Sequence, residues 1–316
     1  MKRLDNLFEQ ICSVENLQSA DVIAQKGKSK QLSVIQHNAN QDGNIQNLHR
    51  ALLDKTFTTS EYTHFIINDP KKRIIYRLPY YPDRIVQHAI MLHLEPMFVS
   101  TFTADTYSCI KGRGVVSAIK KLEKALKDRE GTKYCLQLDI KQFYPSVDNS
   151  ILKQLIRRKI KDENLLWLLD NIIDSAKGLP IGNYLSQYLA NFYLSYFDHW
   201  IKENKGVKHY FRYADDIVIL SDSKKFLHQI RFSIKEYLGI NLKLELKNNY
   251  QVYPVASRGI NFLGYISFHD YRLLRKSIKK NFARMMRKRR NIQSIAGYKG
   301  WIKHCNGKNL FKKLAA

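Results

Sequence analysis

Two adjacent carboxylates, Asp215 and Asp216, lie between strand-like runs, and they constrain this chain more than any other feature. Neighbouring side chains on a strand point to opposite faces, so both can serve one site only where the chain turns. Two short strands are therefore expected over His209 to Leu220, joined at Ala214, Asp215 and Asp216. The run Ile217, Val218, Ile219, Leu220 would bury this hairpin, which argues against a solvated loop tip. Carboxylates held close together raise one another's pKa and repel unless a cation compensates. A hard cation such as Mg²⁺ takes oxygen ligands and usually keeps waters and substrate phosphates in its shell. A third carboxylate, Asp139, stands at the end of an apolar strand read from Tyr134 to Ile140; taken alone it reads equally well as a strand-end cap. Three such groups at one sheet edge can hold two Mg²⁺ ions, with Mn²⁺ as a substitute, and phosphoryl transfer needs little more than positioning and charge neutralisation.

The rest of the chain mixes helices and strands without regular alternation and without a glycine-rich dinucleotide turn. This favours an α+β fold with helices covering one side of a sheet. Arg73 to Pro79 alternates like a strand. Helices are expected over Asp83 to Phe98, ending near Pro96, and over Val115–Asp128, Asn149–Lys161 with Asp148 or Asn149 as cap, Tyr184–Glu203 and Phe226–Leu238. Further strands are expected near Leu242–Leu246, Gln251–Pro254 and Asn261–Phe268, and a basic helical tail from Ser277. Lys26 to Asn44 is polar and reads as mobile. A composition shift near Asp270 marks a boundary, giving an N-terminal extension at 1–63, a central region at 64–268 and a helical region at 269–316.

Charge narrows the partners. Lys and Arg number 53 against 28 Asp and Glu, a net charge of +25 over 316 residues. This balance favours polyanions, and the many tyrosines beside basic residues suit base stacking as well as phosphate contact. Cys12, Cys109, Cys135 and Cys305 lie far apart without CxxC pairing, which fits a reducing, cytoplasmic compartment. No apolar run approaches the ~20 residues of a membrane span, and no signal peptide is evident. His88 and His93 are not spaced as a ligand pair on one helix face.

Four segments in order carry a family resemblance: Leu138 to Tyr144, Gly178 to Gln187, Tyr213 to Asp216, and Phe262 to Gly264. Together they resemble the palm series of reverse transcriptases, and Lys72-Arg73, Asp83 to His88 and Tyr107 to Gly114 resemble the preceding fingers motifs. The resemblance implies a right-hand polymerase with fingers, an antiparallel-sheet palm and a helical thumb. It implies that Asp139, Asp215 and Asp216 bind metal, with the main-chain carbonyl of Ile140 completing one shell. It places Tyr144, beside Phe143, as the steric gate that selects deoxynucleotides. Arg73, with Lys71 or Lys72, would clamp the triphosphate, and Ile181, Gly182 and Gln187 would line the nucleotide. Lys247 matches the lysine that protonates pyrophosphate, although an exposed strand lysine is the simpler reading. Tyr213, Phe262, Leu263 and Gly264 would meet the template–primer, the last three as a primer grip. The basic run, with Lys280, Arg284, Arg287 and Lys288, would track duplex phosphates, where charge runs are otherwise solvated faces.

One departure refines the resemblance. Many members carry Gln before the glycine of the second palm motif, and here the position is Ile181. This looks like the diversity-generating retroelement subgroup, in which an aliphatic residue accompanies error-prone copying of template adenines. That subgroup implies template RNA, an RNA–cDNA duplex, dNTPs and a small basic oligomeric accessory protein as partners, and no membrane. The alternatives are another bacterial reverse transcriptase (retron, phage-defence or group II-like) and a non-catalytic, maturase-like RNA-binding protein. An RNA-dependent RNA polymerase is disfavoured by Tyr144.

Overall fold

Nine strands form three antiparallel sheets in the computed structural model, which describes residues 3–68, 72–288 and 291–315. The expectations placed on Lys71 and the Lys288 side chain lie outside what is described, as do Arg289 and Arg290, which close the basic run. β1 (Thr63–Ile67) and β2 (Arg73–Arg77) make a two-stranded ribbon. β3 (Tyr134–Asp139), β4 (His209–Tyr213), β5 (Asp216–Ser221) and β6 (Gln251–Pro254) make a four-stranded sheet in the order β4-β5-β3-β6. β7 (Ile260–Phe262), β8 (Tyr265–Ser267) and β9 (Arg272–Leu274) form the third. The chain divides into two compact units, one of residues 1–103, 141–198 and 237–245, the other of residues 104–140, 199–236 and 246–316.

The four strands carrying the palm resemblance, β3, β4, β5 and β7, belong to the second unit. In β5, Ile217, Val218, Ile219 and Leu220 are all buried, so the strand reads as a continuous apolar run rather than an alternating one. Val218 and Leu220 join Cys135 of β3 and Phe211 of β4 in one core, which Leu122 and Leu126 close. Those two residues come from the helix Val115–Leu126, whose apolar side chains recur at helical spacing along one face. Each such side chain stabilises the unit by about 1.5–3 kcal/mol when fully buried. A second core gathers Ile119, Tyr265, Leu274, Phe282, Met286 and Ile302, tying β8 and β9 to the C-terminal helices.

In the first unit, the helix Ile85–Thr101 buries residues on nearly every side. It runs through Pro96, beyond the end expected there, because burial of Met97, Phe98 and Thr101 outweighs the one backbone bond a proline removes. The segment expected to be mobile, Lys26 to Asn44, instead contains the helix Leu32–Asn38 and the start of Gln41–Leu53, which bury Val34, His37 and Ile45. The long helix expected over Tyr184–Glu203 is interrupted once: Tyr184–Tyr193 is followed after Leu194 by the helical stretches Ser195–His199 and Trp200–Asn204, and at the break Ser195 Oγ donates to Phe192 O at 2.7 Å and competes with the helical pattern.

Two strand assignments also change. Leu242–Leu246 is not a strand: the helix Lys224–Leu242 occupies its start, Lys243 turns left-handed, and Leu246 alone bridges to Ile140. Asn261–Phe268 is a hairpin, turning at Leu263 (φ 49°) and Gly264 (φ 87°) between the paired residues Phe262 and Tyr265. Two consecutive positive φ values are what a two-residue hairpin with matching twist requires.

Candidate active site

Sheet register brings the three aspartates together. Asp139 pairs with Asp216 across β3 and β5, and Tyr213 pairs with Asp216 across β4 and β5. Ala214 and Asp215 therefore form a two-residue turn. Ala214 sits at φ 53°, a conformation costing a residue with Cβ about 1–2 kcal/mol. The turn is braced from beneath: Arg212, wholly buried, donates from Nη1 to the Ala214 carbonyl at 3.1 Å. An arginine inside the hairpin was not expected from sequence; its place in an otherwise apolar run was the only signal.

Beyond β3 the chain continues the ladder. Ile140 N donates to Asp215 O at 3.3 Å, and Lys247 N to Asp139 O at 2.8 Å. Ile140 and Leu246 are thus a pair without mutual hydrogen bonds, which turns the Ile140 peptide groups toward the Asp215 side. Lys247 Nζ lies 2.5 Å from Asp139 Oδ1.

The electrostatics follow from this crowding. Desolvation pushes the Asp215 carboxyl above its ordinary range, and the charge and hydrogen-bonding contact of Asp139 push it further, with Lys247 opposing. Asp216 is raised to about 6, first by desolvation and then by Asp215 and Asp139, while Arg275 and Lys247 pull it down. Asp216 still opens to solvent, so repulsion among the carboxylates is the more durable part of its shift. Carboxylates that raise one another are short of positive charge, and the oxygen-only donor set of Asp139, Asp215, Asp216 and the Ile140 carbonyl fits a hard cation. Among the described residues no three His, Cys, Asp or Glu side chains are drawn together in ligating geometry, and Asp139 is engaged by Lys247 instead.

The remaining residues of this unit are distributed as follows. Phe262 is buried in the core, Leu263 and Tyr213 pack partly against it, and Gly264 meets Trp301 so closely that an added Cβ would lie 2.5 Å from the indole. The turn thus offers backbone rather than side chains. Lys280, Arg284 and Arg287 are exposed on the helix Lys276–Lys288, away from buried Phe282 and Met286.

The first unit gathers the other expected residues. Leu179 N donates to Tyr144 O at 2.8 Å, and a Cβ on Gly178 would lie 2.6 Å from Pro145 O. Tyr144 is half-buried with its ring edge-on to buried Phe143. Tyr76 N donates to Ile181 O at 2.8 Å, and Gly182 approaches Tyr76 O with φ 124°, leaving no space for a side chain. β2 is thereby fixed to the Ile181-Gly182 turn, with Arg73 and Lys72 exposed at its start. Gln187 lies half-buried on the helix Tyr184–Tyr193. Beside the turn is a cavity of about 300 Å³ lined by Arg77, Arg84, Gln87, Asn183 and Tyr184. Burial and the cations Arg84 and Lys28 push His88 down to about 4, and its ring stacks on Tyr184 at 4.3 Å. The lowered His88 pKa favours the neutral imidazole in this stack.

Known proteins share the sequence pattern and the fold of this chain. Residues 60–267 match the family described as reverse transcriptase (RNA-dependent DNA polymerase). Protein YkfC of Escherichia coli is 27% identical over 63% of this chain and 62% of its own length. Retron Ec73 reverse transcriptase of Escherichia coli is 27% identical over 55% and 58%. The group II intron-encoded protein LtrA of Lactococcus lactis is 21% identical over 78% and 53%. The chain thus spans only part of these relatives' lengths. Among solved structures, apo telomerase from Candida tropicalis superposes with a TM-score of 0.51 at 12% identity, covering 75% of this chain and 52% of that one. This likeness establishes the fold, the α+β right-hand polymerase class. No helix among the described residues is long and apolar enough to cross a membrane. The family match covers most of the chain and includes all three aspartates, so the chain belongs to the reverse transcriptase (RNA-dependent DNA polymerase) family.

Proposed function

We propose that the protein is an RNA-directed DNA polymerase that copies a template RNA into cDNA. The observation that carries this is the register placing Asp139 opposite Asp216, with Asp215 on the intervening turn and two of the three carboxyls raised. Asp139, Asp215, Asp216 and the Ile140 carbonyl would hold two Mg²⁺ ions, which would activate a primer 3′-hydroxyl and neutralise the triphosphate. The protein's own groups supply the rest. Lys247, placed against Asp139, is a proton donor for departing pyrophosphate. Tyr144 excludes a ribose 2′-hydroxyl, while Ile181 and Gly182 set the shape around the nascent pair. Gln187 and Phe143 support that wall, and Arg73 with Lys72 engages the triphosphate. The Leu263–Gly264 turn approaches primer backbone, and Lys280, Arg284 and Arg287 follow duplex phosphates without reading sequence. Fingers and palm then correspond to 64–268, the thumb to 269–316 and an extension to 1–63.

Within the family, Ile181 supports the diversity-generating retroelement reading: cDNA mutated at template adenines, made with a small basic oligomeric accessory protein. The relatives named as retron and group II intron proteins support the broader alternative of another bacterial reverse transcriptase. Primer extension on RNA with Mg²⁺, comparing dNTPs with rNTPs and sequencing the products, separates these readings. DNA with errors concentrated at template adenines supports the subgroup, and accurate DNA supports the alternative. RNA products would remove Tyr144 from its role. No product with cognate RNA and accessory protein present would leave a non-catalytic RNA-binding protein.

A further inference from the structure

Arg275 opens the basic run and immediately precedes the helix Lys276–Lys288, and no role of its own has been given to it above. Its backbone N–H donates to Gly264 O at 2.9 Å, so it is fixed to the Leu263–Gly264 turn. Its side chain is fixed as well: Nε donates to Asn261 Oδ1 at 2.7 Å. Asn261 is held in turn, because Gln137 Nε2 donates to its carbonyl at 2.9 Å and Tyr253 Oη donates to Gln137 Oε1 at 2.6 Å. Gln137 lies two residues before Asp139 on β3, hence on the same face of the sheet. The chain Tyr253–Gln137–Asn261–Arg275 therefore links three strands to the turn. The positive charge of Arg275 also acts on Asp216. Among the described residues, no carboxylate pairs with Arg275, and its two Nη groups have no hydrogen-bond partner.

A guanidinium clamped by Nε, with both Nη groups uncommitted, is a preorganised fork for two oxygens of one phosphate. Immobilising it on Asn261 removes much of the rotamer entropy a surface arginine would lose on binding. We propose that Arg275 grips a backbone phosphodiester at the 3′ end of the primer strand, and that Asn261 is the positioning residue that aims it. This rests on the polymerase reading and adds a contact to it: a charged side-chain anchor fixed to the Leu263–Gly264 turn, where the turn itself offers only backbone. The anchor sets where the primer terminus stops relative to the carboxylates.

The test is the binding of full-length protein to an RNA–DNA primer–template duplex, without dNTPs, over a range of salt. Arg275→Met should weaken binding about tenfold at fixed salt, the loss expected for one charged hydrogen-bonded contact. It should also reduce the slope of log affinity against log salt by about one, because one fewer phosphate is neutralised. Arg275→Lys keeps the charge and should keep the slope. Asn261→Ala, with the charge present but unaimed, should also keep the slope and should lower the extension rate with little change in duplex affinity. A merely structural arginine would not alter the salt slope. If Arg275→Met does not fold, judged by circular dichroism, Arg275→Lys and Asn261→Ala decide: wild-type extension rates in both would overturn the proposal. Folded Arg275→Met with unchanged slope and affinity would overturn it, as would a change confined to the dNTP KM. Wild-type protein that binds no duplex at all would instead sink the polymerase reading, a distinguishable failure.

Discussion

Lys247 places its ammonium 2.5 Å from Oδ1 of Asp139, and its backbone N–H holds the carbonyl of the same aspartate. Side chain and backbone of Lys247 are thus both tied to Asp139. A divalent ion and this ammonium must share Asp139. Lys247→Met is expected to bind Mn²⁺ more tightly in calorimetric titration while turnover falls by about a hundredfold or more through loss of the proton donor. Unchanged Mn²⁺ affinity would show that the ion pair does not compete for Asp139.

Asp215→Ala should lower primer extension by at least about a hundredfold, the scale seen when one preorganised charge-stabilising group is removed. Duplex affinity should stay within a few-fold of wild type, since the proposed duplex contacts lie on the Leu263–Gly264 turn and the helix Lys276–Lys288. Loss of binding and activity in parallel would mean that the substitution unfolded the hairpin.

The raised Asp216 gives a pH prediction whose sign is fixed. Its folded pKa is about 6, and an unfolded aspartate titrates near ~3.9. Between those values the folded state holds a proton that the unfolded state has lost, so metal-free stability should fall as pH rises through the window. Asp128 works in the opposite sense: Lys208 holds it near about 2, and its window lies below that of Asp216. Urea midpoints in EDTA from pH 4 to 7 should therefore decline in wild type and decline less in Asp216→Asn. Equal slopes would show that the carboxylates do not repel in solution.

Ala214 and Gly182 test the two turns. Ala214→Gly should retain activity and raise stability by up to about 1 kcal/mol, because glycine adopts positive φ without strain. Ala214→Val should destabilise and inactivate. Gly182→Ala has no space beside Tyr76 O, so it should displace β2 and raise the dNTP KM more than it lowers kcat. Thermal unfolding and steady-state extension check both turns.

What the sequence made legible was whatever a short local pattern determines. The apolar run after Asp216 announced a buried hairpin, and β3 ends at Asp139 within a residue of expectation. The segments around Tyr144 and Ile181 stood out as ordered motifs, and the packing of Tyr144 on Leu179 and of Tyr76 on Ile181 and Gly182 depends on backbone contacts between segments far apart in sequence. Arg275, Asn261 and Arg212 were not legible, because each acquires its meaning from partners that only the fold supplies. An arginine in a basic tail looks like its neighbours until its Nε is seen on an asparagine. Pro96 and Leu242–Leu246 were misread for a related reason: tertiary burial carried one helix through a proline, and another helix ran on to Leu242, after which Leu246 alone pairs, with Ile140.

The pairing of Asp139 with Asp216 has a consequence for what this gene can tolerate. Strand side chains alternate faces, so one residue inserted or deleted within 134–139 or 216–221 would exchange every inward and outward position beyond it. The carboxylates would leave their common edge, and Val218 and Leu220 would trade faces with Ile217 and Ile219, breaking their packing against Cys135 and Phe211. Point substitutions can be absorbed one side chain at a time, but single-codon indels here cannot. Variation in this segment should therefore be confined to substitutions, with length changes found only outside the paired strands.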